Sequence, residues 1–113
     1  MHSWLRKFSL AFRGIWLGMR GQNSFAVHLP VAGLVLLLAT VRQCELWQWC
    51  CLLMCIGLVL TAELINSAIE ELAAGLCREE NLAVGRALDI ASGAVLVACI
   101  LTAIVGTLIF TLG

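Results

Sequence analysis

Four polar side chains interrupt a long apolar stretch at Glu63, Asn66, Ser67 and Glu70. Their spacing of i, i+3, i+4 and i+7 stacks them along one face of a helix. Depth follows from the rise of an α-helix. From Trp47, an interfacial anchor by type, to Glu63 is roughly 24 Å at 1.5 Å per residue, close to the far boundary of a hydrocarbon core about 30 Å thick. Glu70 lies roughly 10 Å further on, among headgroups or in water. A carboxylate at membrane depth is costly and marks function by default. Glu63 is deep enough to take the proton of a lipid hydroxyl, whereas Glu70 can meet a solvated metal and phosphates. The row therefore suits a reaction joining a lipid to a water-soluble reagent. A plainer reading makes Glu63 a glue residue, hydrogen-bonded to Asn66 or to another helix; four polar residues on one face weigh against it.

A second constellation is Gly85-Arg86-Ala87-Leu88-Asp89-Ile90-Ala91-Ser92-Gly93. Arg86, Asp89 and either Ser92 or Gly93 share a face at the mouth of a later apolar run. Two readings stand side by side: Asp89 holds Arg86 in a salt bridge, or the pair orients a nucleotide. Glu79, Glu80 and Asn81 read first as solvated loop residues, with recognition of a hydroxyl or amine as the alternative. No phosphate-binding G-x-x-x-x-G-K-[ST] loop or glycine-rich kinase loop is present, and Lys7 is the single lysine. An enzyme built on this chain must use an unconventional site.

The elements that position these residues follow from composition. The chain is 62% hydrophobic and 12% charged with no net charge, about half the charged fraction of a soluble domain. Nucleic acid is an unsuitable partner without a basic block. The fold class expected is all-α integral membrane, as one domain over residues 1–113. Residues 3–20 form an amphipathic surface helix, with Trp4, Phe8, Ala11, Phe12, Ile15 and Met19 on one side and Arg6, Arg13 and Arg20 on the other. Three helices at 25–41, 46–74 and 84–113 contain the spans. Arg6, Lys7, Arg13, Arg20, Arg78 and Arg86 fall on one side of these spans and only Arg42 on the other. The excess of positive residues puts the N-terminus and the 75–87 loop in the cytoplasm and the C-terminus outside. Ala87, Ala91, Ala94, Ala98 and Thr102 recur at spacings that let helices approach closely in lipid, so an oligomer is expected. The six cysteines, without a C-x-x-C pair, read as small apolar filler.

At these residues the chain resembles the prokaryotic diacylglycerol kinase family, which includes undecaprenol kinases. The resemblance covers nearly the whole sequence. Its best element is Glu63-Leu64-Ile65-Asn66-Ser67-Ala68-Ile69-Glu70, against the family's E-x-x-N-[TS]-A-[IL]-E. Gly85-Arg86-Ala87-Leu88-Asp89 is similar to G-x-A-K-D, Phe8-x-x-Ala11-x-x-Gly14-Ile15 to the surface-helix pattern, and Phe25-x-x-His28 to the undecaprenol-type branch. The resemblance implies a homotrimer in the bacterial inner (cytoplasmic) membrane, with active sites between subunits. It also implies transfer of the ATP γ-phosphate to a lipid hydroxyl, diacylglycerol or undecaprenol, with Mg2+. Carried over by position, Glu63 matches the catalytic base and Glu70 a metal ligand that also meets nucleotide. Asn66 and Ser67 match site polar groups, and Ser92 falls where the helix lines the lipid side. Glu79, Glu80, Asn81, Arg86 and Asp89 fall in the nucleotide-contacting region.

Three positions depart from the family pattern. A second metal-binding glutamate is replaced by Gln22, an acidic residue by Ala74, and a phosphate-binding lysine by Leu88. Gln22 still offers a carbonyl oxygen, and Arg86 or Arg20 can stand in for the lysine. The departures motivate an alternative, a relative that binds nucleotide or lipid without phosphorylating it. A small proton-coupled transporter is a further alternative, but its carboxylate belongs near the midplane, away from the depth expected for Glu63.

Overall fold

The structure is a computed structural model that describes residues 2–20, 23–76 and 79–113. These residues form four helices: α1 (His2–Arg20), α2 (Asn23–Val41), α3 (Leu46–Leu76) and α4 (Leu82–Leu112). The all-helical expectation holds. The last two helices are longer than the spacing predicts: α3 runs on to Leu76 and α4 starts at Leu82. The earlier start has a local cause. Asn81 has an extended backbone (φ −132°, ψ 121°), and its side-chain oxygen accepts from the Ala83 and Val84 amides at 3.0 and 3.2 Å. This is an N-cap that satisfies two amides lacking partners within the helix.

Two helices, Leu46–Leu76 and Leu82–Leu112, are each long and apolar enough to cross a membrane, and the count reaches three when the first two helices are taken as one bent unit. Their large apolar side chains are widely exposed in the single chain, Met54 at 76% and Ile90 at 73% among them. Such a surface needs lipid or protein around it. The chain is a multi-pass membrane protein.

α3 is the axis. It packs along α4, and more lightly against α2 and α1. Small residues permit the α3–α4 approach: Ala91 and Ala98 are buried, and the Thr102 hydroxyl donates to the Cys55 carbonyl at 3.4 Å. The stripe of small residues is thus used partly within the chain, with Ala87 and Ala94 left exposed. α1 meets α3 at Gly18, where an added Cβ would lie 2.7 Å from Leu64 Cδ2.

The turn between α2 and α3 is tightly specified. Gln43 has a left-handed backbone (φ 52°), Cys44 N–H donates to Ala39 O at 3.1 Å, and Gln43 N–H donates to Thr40 O at 3.2 Å. This is a Schellman ending, with Cys44 carried into the cluster of Ala39, Leu52 and Ile109. At the next helix start, the Gln48 side chain accepts from the Glu45 amide at 2.8 Å, the return half of a capping box. Arg42 closes the same end by donating to Phe110 O at 2.9 Å, a cation on carbonyls at a helix C-terminus. Glycine occupies left-handed positions without the steric cost paid by glutamine. Gln43→Gly should therefore raise stability by roughly 0.5–1 kcal/mol, read as a higher thermal unfolding midpoint with the same helix content.

Candidate active site

Glu63 is 2% exposed and is the largest fully buried side chain among the described residues. It sits on α3 where α2 and α4 flank it. Its Oε1 lies 3.0 Å from Nε2 of His28 on α2. Its Oε2 is buried without a hydrogen-bond partner. A buried acceptor left unmet costs about 1–3 kcal/mol, so a donor reaching this oxygen would gain a favourable bond. The glue reading is half right. Glu63 does meet another helix, through His28 rather than Asn66, but that contact uses one oxygen only.

The rest of the row is organised along α3. Ser67 donates its hydroxyl to Glu63 O at 2.9 Å, a bond to the carbonyl one turn back. Asn66 Nδ2 donates to Glu70 Oε1 at 3.0 Å, leaving Asn66 Oδ1 buried and unpartnered. Glu63, Asn66 and Ser67 are buried and Glu70 is half-buried. The structure thus brings the predicted row together as a graded strip from Glu63 to the more open Glu70. Two acceptor oxygens in it, one carboxylate and one amide, have no partner.

Two clefts lie near the strip, one reaching it through His28, the partner of Glu63, and the other lined by Ser67 itself. The larger, about 620 Å³, runs between α2, α3 and α4 from His28, Val59 and Cys99 to Phe110, and its walls are almost wholly apolar. The second, about 380 Å³, lies between α1 and α3, bounded by Gly18, Arg20, Leu64, Ser67 and Glu71. It mixes polar with apolar walls and brings Arg20 to the side of the strip that Ser67 faces.

The second constellation is less assembled. Arg86, Asp89 and Ser92 are exposed on α4, and neither an Arg86–Asp89 ion pair nor a hydrogen bond from any of the three to the α3 strip forms among the described residues. The salt-bridge reading of Arg86 and Asp89 is therefore not realised. Glu79 and Glu80 are exposed at the entrance to α4. Asn81 has its amide oxygen committed to capping, so only its N–H groups remain for a ligand. Gln22 lies outside the described residues. Ala74 and Leu88 present no polar atom where the family pattern has charge.

A metal finds oxygen donors in the Asn66 amide and the Glu70 carboxylate. No group of three His, Cys, Asp or Glu side chains able to hold a metal occurs among the described residues. That sparse set fits magnesium bound chiefly through phosphates and water, and does not fit a caged structural ion. The residue undervalued by sequence reasoning is His28, noticed only as part of a weak pattern near the start of α2.

These residues define a helical membrane chain whose buried carboxylate is held by a histidine that lines an apolar cleft. The prokaryotic diacylglycerol kinase family model matches residues 9–110, and this chain belongs to that family. The chain is 30% identical over 110 residues to the undecaprenol kinase of Bacillus subtilis (strain 168), covering 97% of this chain and 89% of the relative. No solved structure matches significantly.

Proposed function

We propose that this protein is an ATP-dependent lipid kinase of the bacterial cytoplasmic membrane, transferring the γ-phosphoryl group to the hydroxyl of a lipid alcohol. The observation that carries this reading is Glu63, buried, with one oxygen tethered to His28, which lines an apolar cleft, and with the other oxygen unpartnered. The hydrocarbon chain lies in that cleft, and the hydroxyl donates to Glu63 Oε2. Glu63 takes the hydroxyl proton as the lipid oxygen forms its bond to the γ-phosphorus and the bond to the β-phosphate oxygen breaks. The proton then passes to water, and ADP leaves. Asn66 Oδ1 and Glu70 would hold a magnesium ion beside the phosphates, and the ion would supply charge neutralisation there. Arg86 and Arg20 are the cations available in place of the lysine position occupied by Leu88, and Asp89, Glu79, Glu80 and Asn81 flank the nucleotide. Ser92 faces the lipid side. Similarity to the Bacillus enzyme favours undecaprenol over diacylglycerol.

The surface helix lies in the headgroup layer. Its Trp4, Phe8 and Phe12 are exposed at 64%, 59% and 70% in the single chain, as an interfacial helix requires. α2 is the third span, and three copies assemble so that the exposed apolar faces are covered and α4 of one subunit approaches the strip of another. The test is transfer of labelled γ-phosphate from ATP by the purified protein in mixed lipid containing undecaprenol or diacylglycerol. A labelled lipid supports the kinase reading, and chromatography identifies the substrate. Nucleotide binding without labelled lipid would instead favour the non-catalytic relative, for which Gln22 and Leu88 are the motivating changes.

A further inference from the structure

The cross-helix contact between His28 and Glu63 has a consequence for catalysis that the kinase reading alone does not contain. Glu63 is a three-torsion side chain in apolar surroundings, and a carboxylate there has several orientations of similar energy. His28 Nε2, 3.0 Å from Oε1, selects one. With Oε1 held, the direction of Oε2 is set by the rigid geometry of the carboxylate, and Oε2 is the oxygen without a partner. His28 comes from α2 while Glu63 comes from α3, so the bond also fixes how the two helices face each other. The imidazole lines the apolar cleft beside Val31, Val59 and Cys99, and its side chain is 23% exposed against 2% for Glu63. His28 therefore stands between the cleft it lines and the buried carboxylate it holds.

We propose that His28 is a positioning residue for phosphoryl transfer: its imidazole N–H holds Glu63 Oε1 so that Oε2 faces the lipid hydroxyl. The inference rests on Glu63 acting as the base. In the step itself the hydroxyl proton moves to Oε2 while the Nε2–H bond to Oε1 is kept, so His28 neither gains nor loses a proton. The alternative is a polar lock that only joins α2 to α3, as interhelical hydrogen bonds do in membranes. The two roles separate in their kinetics. A lock affects assembly and all kinetic constants together, whereas a positioning group affects turnover and can be replaced by another donor at the same place.

The experiment compares His28→Leu, His28→Met and His28→Gln with wild type and Glu63→Gln, all as full-length protein in the same mixed lipid with labelled ATP. Leucine and methionine fill the space without a donor, and methionine adapts to gaps that leucine leaves. Glutamine places an amide N–H near the position of the imidazole Nε2. Among variants matching wild type in helix content and oligomer size, the donor-free pair should lose about 100-fold in kcat, the scale of a small misplacement of a reacting group. Their KM for ATP should be unchanged, and His28→Gln should recover most of the rate. Combining His28→Leu with Glu63→Gln should cost no more than Glu63→Gln alone, because the two act as one unit. Wild-type turnover in a donor-free variant, or His28→Gln no better than His28→Leu, overturns the proposal while leaving Glu63 as the base. A wild-type protein that phosphorylates no lipid overturns both.

Discussion

Replacing Glu63 with glutamine is expected to cut lipid phosphorylation by about 10²- to 10⁴-fold, the range of general-base contributions, without unfolding the protein. The substitution is nearly isosteric. Its carbonyl oxygen can keep the bond from His28 Nε2, so the α2–α3 contact persists. What changes is the second position: an oxygen able to accept a proton becomes an amide nitrogen that cannot. The loss should appear in kcat, with KM for ATP little altered, because the proposed mechanism assigns the phosphates to Asn66 and Glu70, further along α3. Stability should not follow activity. In the native chain a carboxylate is buried with one oxygen unmet, an arrangement that costs free energy. The midpoint of thermal unfolding in Glu63→Gln should therefore equal or exceed that of wild type. A variant that turns over at the wild-type rate would remove Glu63 from the chemistry, and one that is inactive because it unfolds would make Glu63 a structural residue.

Much of this arrangement is legible in the sequence, for reasons particular to membranes. Apolar runs must become helices because unpaired backbone groups have no water to meet in the hydrocarbon region. A polar residue among them is therefore conspicuous, and the i, i+3, i+4, i+7 row from Glu63 to Glu70 follows directly from helical geometry. His28 is different. Its partner lies on another helix, and local periodicity says nothing about contacts between helices. A clue exists nonetheless. His28 is near the beginning of α2 and Glu63 beyond the middle of α3, and the turn at Arg42–Glu45 folds one helix back on the other. Measured from that turn, each lies roughly 20–27 Å down its helix at 1.5 Å per residue, so two isolated polar groups arrive at similar depth. The start of α4 was missed because Asn81 was read as a loop residue, when its side-chain oxygen caps the helix. Arg86 and Asp89 show the opposite limit: their i, i+3 spacing permits an ion pair, yet exposure leaves little gain from forming one.

The second large effect is expected at Glu70, where glutamine should lower the rate by about 10²- to 10³-fold at ordinary magnesium, comparable to losing one stabilising group at a developing charge. Unlike the loss at Glu63, this one should be partly recovered by raising the metal concentration. The physical difference lies in what each carboxylate meets. Glu63 is buried and meets His28 on a neighbouring helix, whereas Glu70 is half-buried and accepts from Asn66 Nδ2 at 3.0 Å. That hydrogen bond ties the Asn66 amide to the Glu70 carboxylate through Nδ2 and leaves Asn66 Oδ1 buried and unpartnered. Magnesium tolerates such a small protein contribution because phosphates and water complete its octahedron. Removing the charge of Glu70 weakens that site without abolishing it, so the magnesium dependence of the rate should shift to higher concentration. Asn66→Leu should shift it in the same direction, because it removes Oδ1 and releases the Glu70 side chain from its donor. The measurement is the initial rate of labelled lipid formation across a magnesium series for wild type, Glu70→Gln and Asn66→Leu. Parallel curves that differ only in height would place the metal elsewhere. A shared displacement along the magnesium axis would make the Asn66–Glu70 pair its seat.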